Sequence, residues 1–241
     1  MEDVVNDHNE QNGYEELASN HPFTQWLRTY LLWAHITGVE PQVFAFASDA
    51  APSVQDNLRW QGQALWVELS LLERMPSRLL AILAVRNYVE EDIWRRYLPI
   101  LWLIGIMAVA LSIGLSSYLR RVFGANVLWH LVHLFVLPLL FEMPALLREY
   151  ARLHADEETM QRLAEPDMML LALETAIVES YRNGEPEGQL HKSLKRLNRL
   201  RAKRGEPALT LEQIKAQAGE PLTTEEEEEI LVVNTASQEE E

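Results

Sequence analysis

The longest apolar stretch of the chain lies near its middle. From Tyr97 to Leu119 the sequence has no charged residue, and a pair of arginines stands on each side of the stretch, at 95–96 and 120–121. An α-helix rises about 1.5 Å per residue, so about 20 apolar residues cross a hydrocarbon core of about 30 Å. The pattern therefore predicts a membrane-spanning helix.

A second, less regular apolar stretch follows a short loop. It contains His130, His133 and Glu142, and Pro138 interrupts its backbone hydrogen bonding if it is helical. Two spans joined by a tight loop predict a transmembrane helical hairpin over residues 97–147.

The charges around this hairpin predict its orientation. Three arginines precede it and three follow it, whereas the connecting loop has two. Cytoplasmic flanks of membrane proteins are richer in Lys and Arg. We therefore expect a two-pass protein of the cell inner membrane with both termini in the cytoplasm. The chain contains no cysteine, which fits that compartment.

The acidic residues are concentrated at the two ends of the chain. The formal net charge is −15, and residues 1–19 and 219–241 hold much of the acid and little apolar surface. Such segments bury too little to offset the entropy of ordering, so we predict that both are disordered. The negative balance argues against nucleic acid as a partner.

The remaining residues, 20–96 and 148–218, are expected to form one small domain interrupted by the hairpin. Residues 20–37 have apolar positions at helical spacing, and Gly38 is expected to stop that helix.

Two strand-like runs come next, Val43–Ala47 and Ala64–Leu69, and the turn residues between them favour an antiparallel pair. A break at Met75–Pro76 then precedes another helix. The predicted fold class is mainly α with a small antiparallel β-sheet, an α+β arrangement, plus the transmembrane hairpin.

The order of these elements carries a resemblance to a known family. The residues in question run from about Gly38 to Arg204 and include "PQVFAF", "ALWVELSLLERM" and a helix with "LLAILA". They resemble the membrane zinc metallopeptidases of the HtpX and CAAX-prenyl-protease family. In that family a strand of the form "ALVVTRGLLERL" leads to the zinc helix "LRAVLAHELGH". A membrane segment and a helix with the motif E-x-x-A-D follow. The resemblance implies a zincin-like fold.

The resemblance also implies which positions would carry the chemistry. The two histidine ligands of the zinc helix fall on Val85 and Val89, and the glutamate base falls on Arg86. The third ligand, a glutamate, falls on Arg152. Valine has no lone pair to donate, and arginine stays protonated and cannot act as a base. The zinc and catalytic motifs are therefore degenerate, and we predict that zinc is absent.

The family's second motif keeps its Ala-Asp pair here, at Ala155 and Asp156. In the family the aspartate, here Asp156, supports a histidine ligand of the metal. We hypothesise that an Arg86/Arg152–Asp156 cluster joins the two helices that zinc would bridge. In the alternative, the arginines point to solvent and pair with Glu149 or Glu90.

His130 and His133 are candidates for a metal or proton-relay role, because they are three residues apart and share a helix face at membrane depth. In the alternative they form hydrogen bonds to a neighbouring helix.

A basic stretch, residues 191–205, interleaves positive charges with leucines. It is a candidate surface for a membrane or a partner. The alternatives are an ordinary terminal helix with a solvated basic face, contact with the acidic tail, and nucleic-acid binding, for which the interleaved aromatic residues are missing. Its basic residues are Lys192, Lys195, Arg196, Arg199, Arg201, Lys203 and Arg204.

The family's members are zinc metalloendopeptidases, whereas this chain is expected to be inactive. The predicted function is that of a membrane-anchored pseudopeptidase that binds or regulates a membrane protein partner. The expected partners are the lipid bilayer and a protein or peptide segment. One alternative is an active membrane zinc metalloendopeptidase with relocated ligands. Another is a structural subunit of a membrane complex.

Overall fold

The computed structural model describes residues 14–47, 53–123, 137–163 and 165–219, together with His130 and Leu134. The chain divides into two units. One unit, the body, combines the residues up to Asn87 with those from Met160 onward, and the other, the insert, is Tyr88–Thr159. The insert extends beyond the predicted hairpin, residues 97–147, at both ends.

The described residues are mainly helical, with one small mixed sheet. The helices are α1 (Pro22–Trp33), α2 (Leu69–Arg74), α3 (Ser77–Phe123), α4 (Leu137–Arg162), α5 (Pro166–Arg182), α6 (Glu187–Lys203) and α7 (Leu211–Ala218). The strands are β1 (Tyr14–Glu16), β2 (Gln42–Phe46), β3 (Leu58–Gln61) and β4 (Ala64–Glu68).

The sheet has the strand order β1-β2-β4-β3. Its central pair, β2 and β4, is parallel, with Val43 beside Leu65, whereas both outer pairs are antiparallel. The two predicted strands therefore exist, but the predicted antiparallel pairing between them is wrong. β4 forms its hairpin with β3 instead. The 17 residues from 47 to 63 connect β2 to β4, and they are enough for the crossover connection of a parallel pair, which needs a dozen or more residues.

β1 lies inside the segment 1–19 that we expected to be disordered. Its Tyr14 ring meets the rings of Phe44 and Trp66 edge-on, at centroid distances of 5.7 and 5.3 Å. These contacts bury aromatic surface that the composition of the segment as a whole does not suggest, so the prediction of disorder is wrong for Tyr14–Glu16. Residues 1–13 of that segment, and residues 220–241 of the acidic tail, lie outside the described residues.

α1 ends earlier than its periodicity predicts. The N–H of Ile36 donates to the carbonyl of Leu31 at 2.9 Å, and the N–H of His35 donates to the carbonyl of Leu32 at 3.0 Å. With His35 at φ +55°, this is a Schellman motif. His35, not Gly38, is therefore the residue that stops the helix.

The core of the body is built on the first turns of α3. The predicted break is confirmed, since α2 ends at Arg74 and α3 begins at Ser77. Residues 79–85 of α3 are all buried, which means that other elements surround the helix here on every side. The buried residues that share this core include Phe23, Leu27, Tyr30, Val43, Leu65, Val67, Met169, Ile177, Leu190 and Leu197.

In the insert, α3 has the opposite character. Its apolar side chains are largely exposed, with Trp102 at 68% and Met107 at 64%. α3 is long and apolar enough to cross a membrane, and its most apolar window has a mean hydropathy of 2.4. The predicted span from Tyr97 to Leu119 lies within it. Much of the predicted second span falls outside the described residues, which resume with α4 at Leu137.

Candidate functional site

The positions that the resemblance assigns to the zinc helix lie in the third and fourth turns of α3. Val85 and Arg86 are completely buried, and Val89 is 4% exposed. Neither valine has a donor atom for a metal, and the guanidinium of Arg86 has none either. The side chains at these three positions therefore do not fit a zinc ion.

The Arg86 guanidinium is held by hydrogen bonding inside the body. Its Nη1 donates to Oδ1 of Asn87 at 2.9 Å, and Nδ2 of Asn87 donates to the carbonyl of Leu58 at 3.0 Å. Leu58 begins β3, so the amide of Asn87 connects the buried cation to an outer strand of the sheet. A buried charge needs such partners, because an uncompensated one costs several kcal/mol.

A second bond holds β3 against α3. Nε1 of Trp60 donates to the carbonyl of Ala84 at 2.7 Å. Carbonyls have two lone pairs, so that of Ala84 can accept this bond in addition to a helical one. Trp60 and Asn87 thus fix β3 on both sides of Val85 and Arg86. Neither Trp60 nor Asn87 belongs to a motif, so the sequence alone does not reveal their role.

β3 is one of the two outer strands of the sheet. Its hairpin with β4 turns through Gly62 and Gln63, and Gly62 has φ +66°. In a two-residue hairpin the flanking residues, here Gln61 and Ala64, bond to each other, and the pattern alternates from there. The backbone groups of Leu58 and Trp60 therefore point to the outer edge of the sheet, where Asn87 reaches the Leu58 carbonyl.

In the insert, Arg152 pairs with carboxylates. Its Nε lies 3.2 Å from Oε1 of Glu90, and its Nη1 lies 3.9 Å from Oε1 of Glu149. Its side chain is 28% exposed and that of Glu90 is 15% exposed, so this pair joins α3 to α4 in a partly desolvated setting. Arg152 therefore makes the contacts that we gave as the alternative, and the Arg86/Arg152–Asp156 cluster stays a prediction. Asp156 itself is buried within the insert.

The candidate histidines do not converge in the part of the chain that the structure describes. His130 is exposed, and His133 lies outside the described residues. A further histidine, His154, is exposed, and its ring stacks on Tyr150 at a centroid distance of 5.9 Å. Among the described residues, no three His, Cys, Asp or Glu side chains are grouped so that they could hold a metal ion.

The predicted basic surface on α6 is smaller than the sequence suggests. Arg196 is only 8% exposed. Arg201 lies 3.0 Å from Glu174, and Arg204 forms an ion pair with Asp167, so α5 neutralises both. A helical pattern places these arginines on α6 but does not reveal acidic partners far away in the sequence. The basic residues that remain exposed, apart from Arg204, are Lys192, Lys195, Arg199 and Lys203.

A cluster that the sequence does not reveal surrounds Arg78. Its Nε donates to the hydroxyl of Tyr30 at 2.7 Å, its guanidinium lies 4.9 Å from the ring centroid of Trp26, and it forms an ion pair with Glu165. Burial raises the pKa of Tyr30 above its ordinary value, against the opposing effect of Arg78. The cluster fixes α1 to the start of α3 and to the residue before α5.

Comparison of the chain with protein-family models, with curated proteins and with solved structures finds no match. The resemblance to the HtpX and CAAX-prenyl-protease family therefore rests on the quoted sequence motifs and stays a prediction.

Proposed function

We propose that this chain is a membrane-anchored, metallopeptidase-like protein that binds or regulates a membrane protein partner without hydrolysing it. The observation that carries the proposal is α3 itself. One continuous helix of 47 residues has Val85, Arg86 and Val89 where the resemblance calls for zinc chemistry, and then exposes apolar side chains over a membrane-spanning length.

The proposed membrane anchor is a two-pass hairpin. Only a narrow face of the apolar part of α3 is buried, and it consists of the small residues Ala108, Ser112 and Ser116. The hydroxyl of Ser112 donates to the carbonyl of Ala108 at 2.8 Å, so it needs no outside partner. Small residues let a second helix approach closely in a membrane. We assign that second helix to the second apolar stretch, with both termini in the cytoplasm at the inner membrane.

Single cysteines test this topology cleanly, because the natural chain has none. Arg121→Cys lies near the tip of the proposed hairpin, and Gln189→Cys is the matched position on the body. In intact spheroplasts an impermeant maleimide should label Arg121→Cys, whereas Gln189→Cys should react only after permeabilisation. Labelling of Gln189→Cys in intact cells, or release of the protein by alkaline carbonate, would contradict the membrane assignment.

The proposed binding mode is strand addition, in which an extended peptide segment pairs with an outer strand. It is supported by the position of β3 at the edge of the sheet beside α3. A photo-crosslinking amino acid at exposed Gln61 should capture membrane proteins in native membranes, and the same group at exposed Gln189 on α6 serves as the control. Equal capture at both positions would argue against the mode. A single stoichiometric partner would favour the alternative, a structural subunit.

Zinc content separates the proposal from the active-enzyme alternative. Elemental analysis of detergent-purified protein, with any histidine tag removed, should find far less than one zinc per chain. One tightly bound zinc per chain would contradict the proposal and favour a peptidase with relocated ligands.

A further inference from the structure

A groove lies between the C-terminal half of α1 and the loop that leads to β2. Its volume is about 440 Å³, within the range of about 300–1,000 Å³ that is typical of ligand sites. One wall is Leu32, whose side chain is 66% exposed. The apolar lining residues are Leu31, Leu32, Ile36, Val39 and Pro41.

Two charged side chains also line the groove, Arg28 and Glu40, and both are exposed. Arg28 is one helical turn before Leu32, so a cation stands beside the exposed apolar wall. The groove therefore suits a segment in which an acidic residue adjoins apolar ones.

The segment before β1 has such a sequence. Val4 and Val5 directly follow two acidic residues, Glu2 and Asp3. We propose that residues 3–5 dock in the groove of the same chain, with both valines against the apolar lining and Asp3 beside Arg28. This inference does not depend on the proposed function.

The direction of the chain supports this occupant. The first residue of β1, Tyr14, lies opposite Phe46 at the far end of β2. The N–H of Leu17, just after β1, donates to the carbonyl of Val43 at 2.8 Å, next to the start of β2. Residues 12–13 are Asn-Gly, a pair typical of a tight two-residue reversal. A reversal there directs the preceding residues back along β1, towards the loop that lines the groove.

The register of such a reversal also fits. The residues that flank a two-residue turn are opposite each other, so His8 comes level with Leu17 and thus with Val43. Val5 is three residues before His8, and Glu40 is three residues before Val43. Val5 therefore comes level with Glu40 in the lining of the groove.

The length of the connection matches the distance. Tyr14 is level with Phe46, and the five residue steps from there back to Pro41 span about 17 Å. Val5 is nine residues before Tyr14, and a flexible chain of nine residues has a root-mean-square end-to-end distance of about 16 Å. A connection that matches the span gives the segment an effective concentration of the order of millimolar.

The C-terminal tail also has acidic residues next to apolar ones, at residues 225–233. It starts at the far end of α5, where Nε of Arg182 donates to the carbonyl of Ala218 at 3.0 Å. The groove lies towards the other end, since Nη1 of Arg162 donates to the carbonyl of Ala34, just after α1, at 3.2 Å. α5 is about 26 Å long, so residues 3–5 are the nearer occupant.

Two cysteines report on the docking, Asn6→Cys next to the valines and Gln25→Cys on α1, three residues before Arg28. Spin labels on the full chain in neutral-lipid nanodiscs should show a narrow distance component in pulsed dipolar spectroscopy. Dilution with unlabelled chain should leave this component unchanged. Its loss on dilution would overturn the proposal, because the occupant would then come from a second copy.

Matched substitutions test the groove itself. Leu32→Gln should reduce the narrow component by half or more, and so should Val4→Asn combined with Val5→Asn. Leu171→Gln is the control, since Leu171 is an exposed leucine of α5, 42% exposed, outside the groove, and it should leave the component intact. A component that survives Leu32→Gln, or that Leu171→Gln reduces equally, would overturn the proposal.

Charge reversal tests the polar contact. Arg28→Glu should weaken the component, and Asp3→Arg in the same chain should restore it. If Arg28→Glu has no effect, the assignment of Asp3 to Arg28 is wrong. Ending the chain after residue 219 should leave the component intact. If that truncation abolishes it while labels at Asn234→Cys and Gln25→Cys in the full chain give a narrow component, the tail is the occupant and the proposal is overturned.

Discussion

Replacing His35 by glycine should stabilise the body. α1, α5 and α6 end in the same Schellman arrangement, and the left-handed residue is Gly184 at φ +79° in α5, Gly205 at φ +74° in α6, and His35 at φ +55° in α1. A side chain in this conformation costs about 1–2 kcal/mol, and glycine loses about 0.5–1 kcal/mol through its freer unfolded chain. The difference predicts a gain of about 0.5–1 kcal/mol for His35→Gly, with the exposed imidazole contributing little.

Thermal unfolding followed by circular dichroism measures this gain as a rise in Tm of about 1–4 °C, since 1 kcal/mol corresponds to about 2–4 °C in a chain of this size. Gly184→Ala and Gly205→Ala are the matched controls. An added Cβ would meet nothing within 4 Å at either position, so their losses report backbone strain alone. If both controls lower Tm while His35→Gly leaves it unchanged or lowers it, backbone strain does not decide the stability of the turn at His35 and the reasoning is refuted.

Two further predictions concern charge. A double-mutant cycle on Glu90 and Arg152 should give a coupling free energy of about 0.5–1 kcal/mol, since the pair is partly desolvated; Glu149 with Arg152, at 3.9 Å, is the control and should couple less. Burial raises the pKa of Tyr30 in the folded state, so its contribution to stability is complete below the ordinary value of about 10 and is lost as the pH rises through the higher folded value. Chemical unfolding between pH 8 and 11 should therefore show a decline that Tyr30→Phe reduces, and an identical decline in both proteins would contradict it.

The elements of this fold were largely predictable because their signals are local. The apolar periodicity of residues 20–37, the strand content of Val43–Ala47 and the proline break at Met75–Pro76 each act within a few residues. Strand direction was not predictable in this way. It depends on which strand forms the hairpin with β4. That strand is β3, through the turn at Gly62 and Gln63, and β2 then pairs with β4 in parallel. The contact between β2 and β4 is non-local, so the sequence around each strand does not reveal its direction.

The candidate surface illustrates the same limit. From composition alone, every basic residue of α6 is expected to be exposed and solvated. In the structure, Arg201 forms an ion pair with Glu174 and Arg204 with Asp167, which lie 27 and 37 residues earlier in the sequence. Arg196 is buried although it follows the exposed Lys195. The helical spacing of the basic residues was visible in the sequence, but the carboxylate partners of Arg201 and Arg204 were not.

Arg86 is the residue of α3 that core packing alone does not explain. Residues 79–85 before it form an unbroken buried run, and an apolar side chain at 86 would continue that run without the desolvation of a guanidinium. Replacing buried charged groups with apolar ones of similar size is often neutral or stabilising. A completely buried Arg86 held by Asn87, next to a strand that Asn87 and Trp60 fix in place, therefore indicates a position kept polar for a reason other than stability. That position is the one where the resemblance, which stays a prediction, puts the catalytic base.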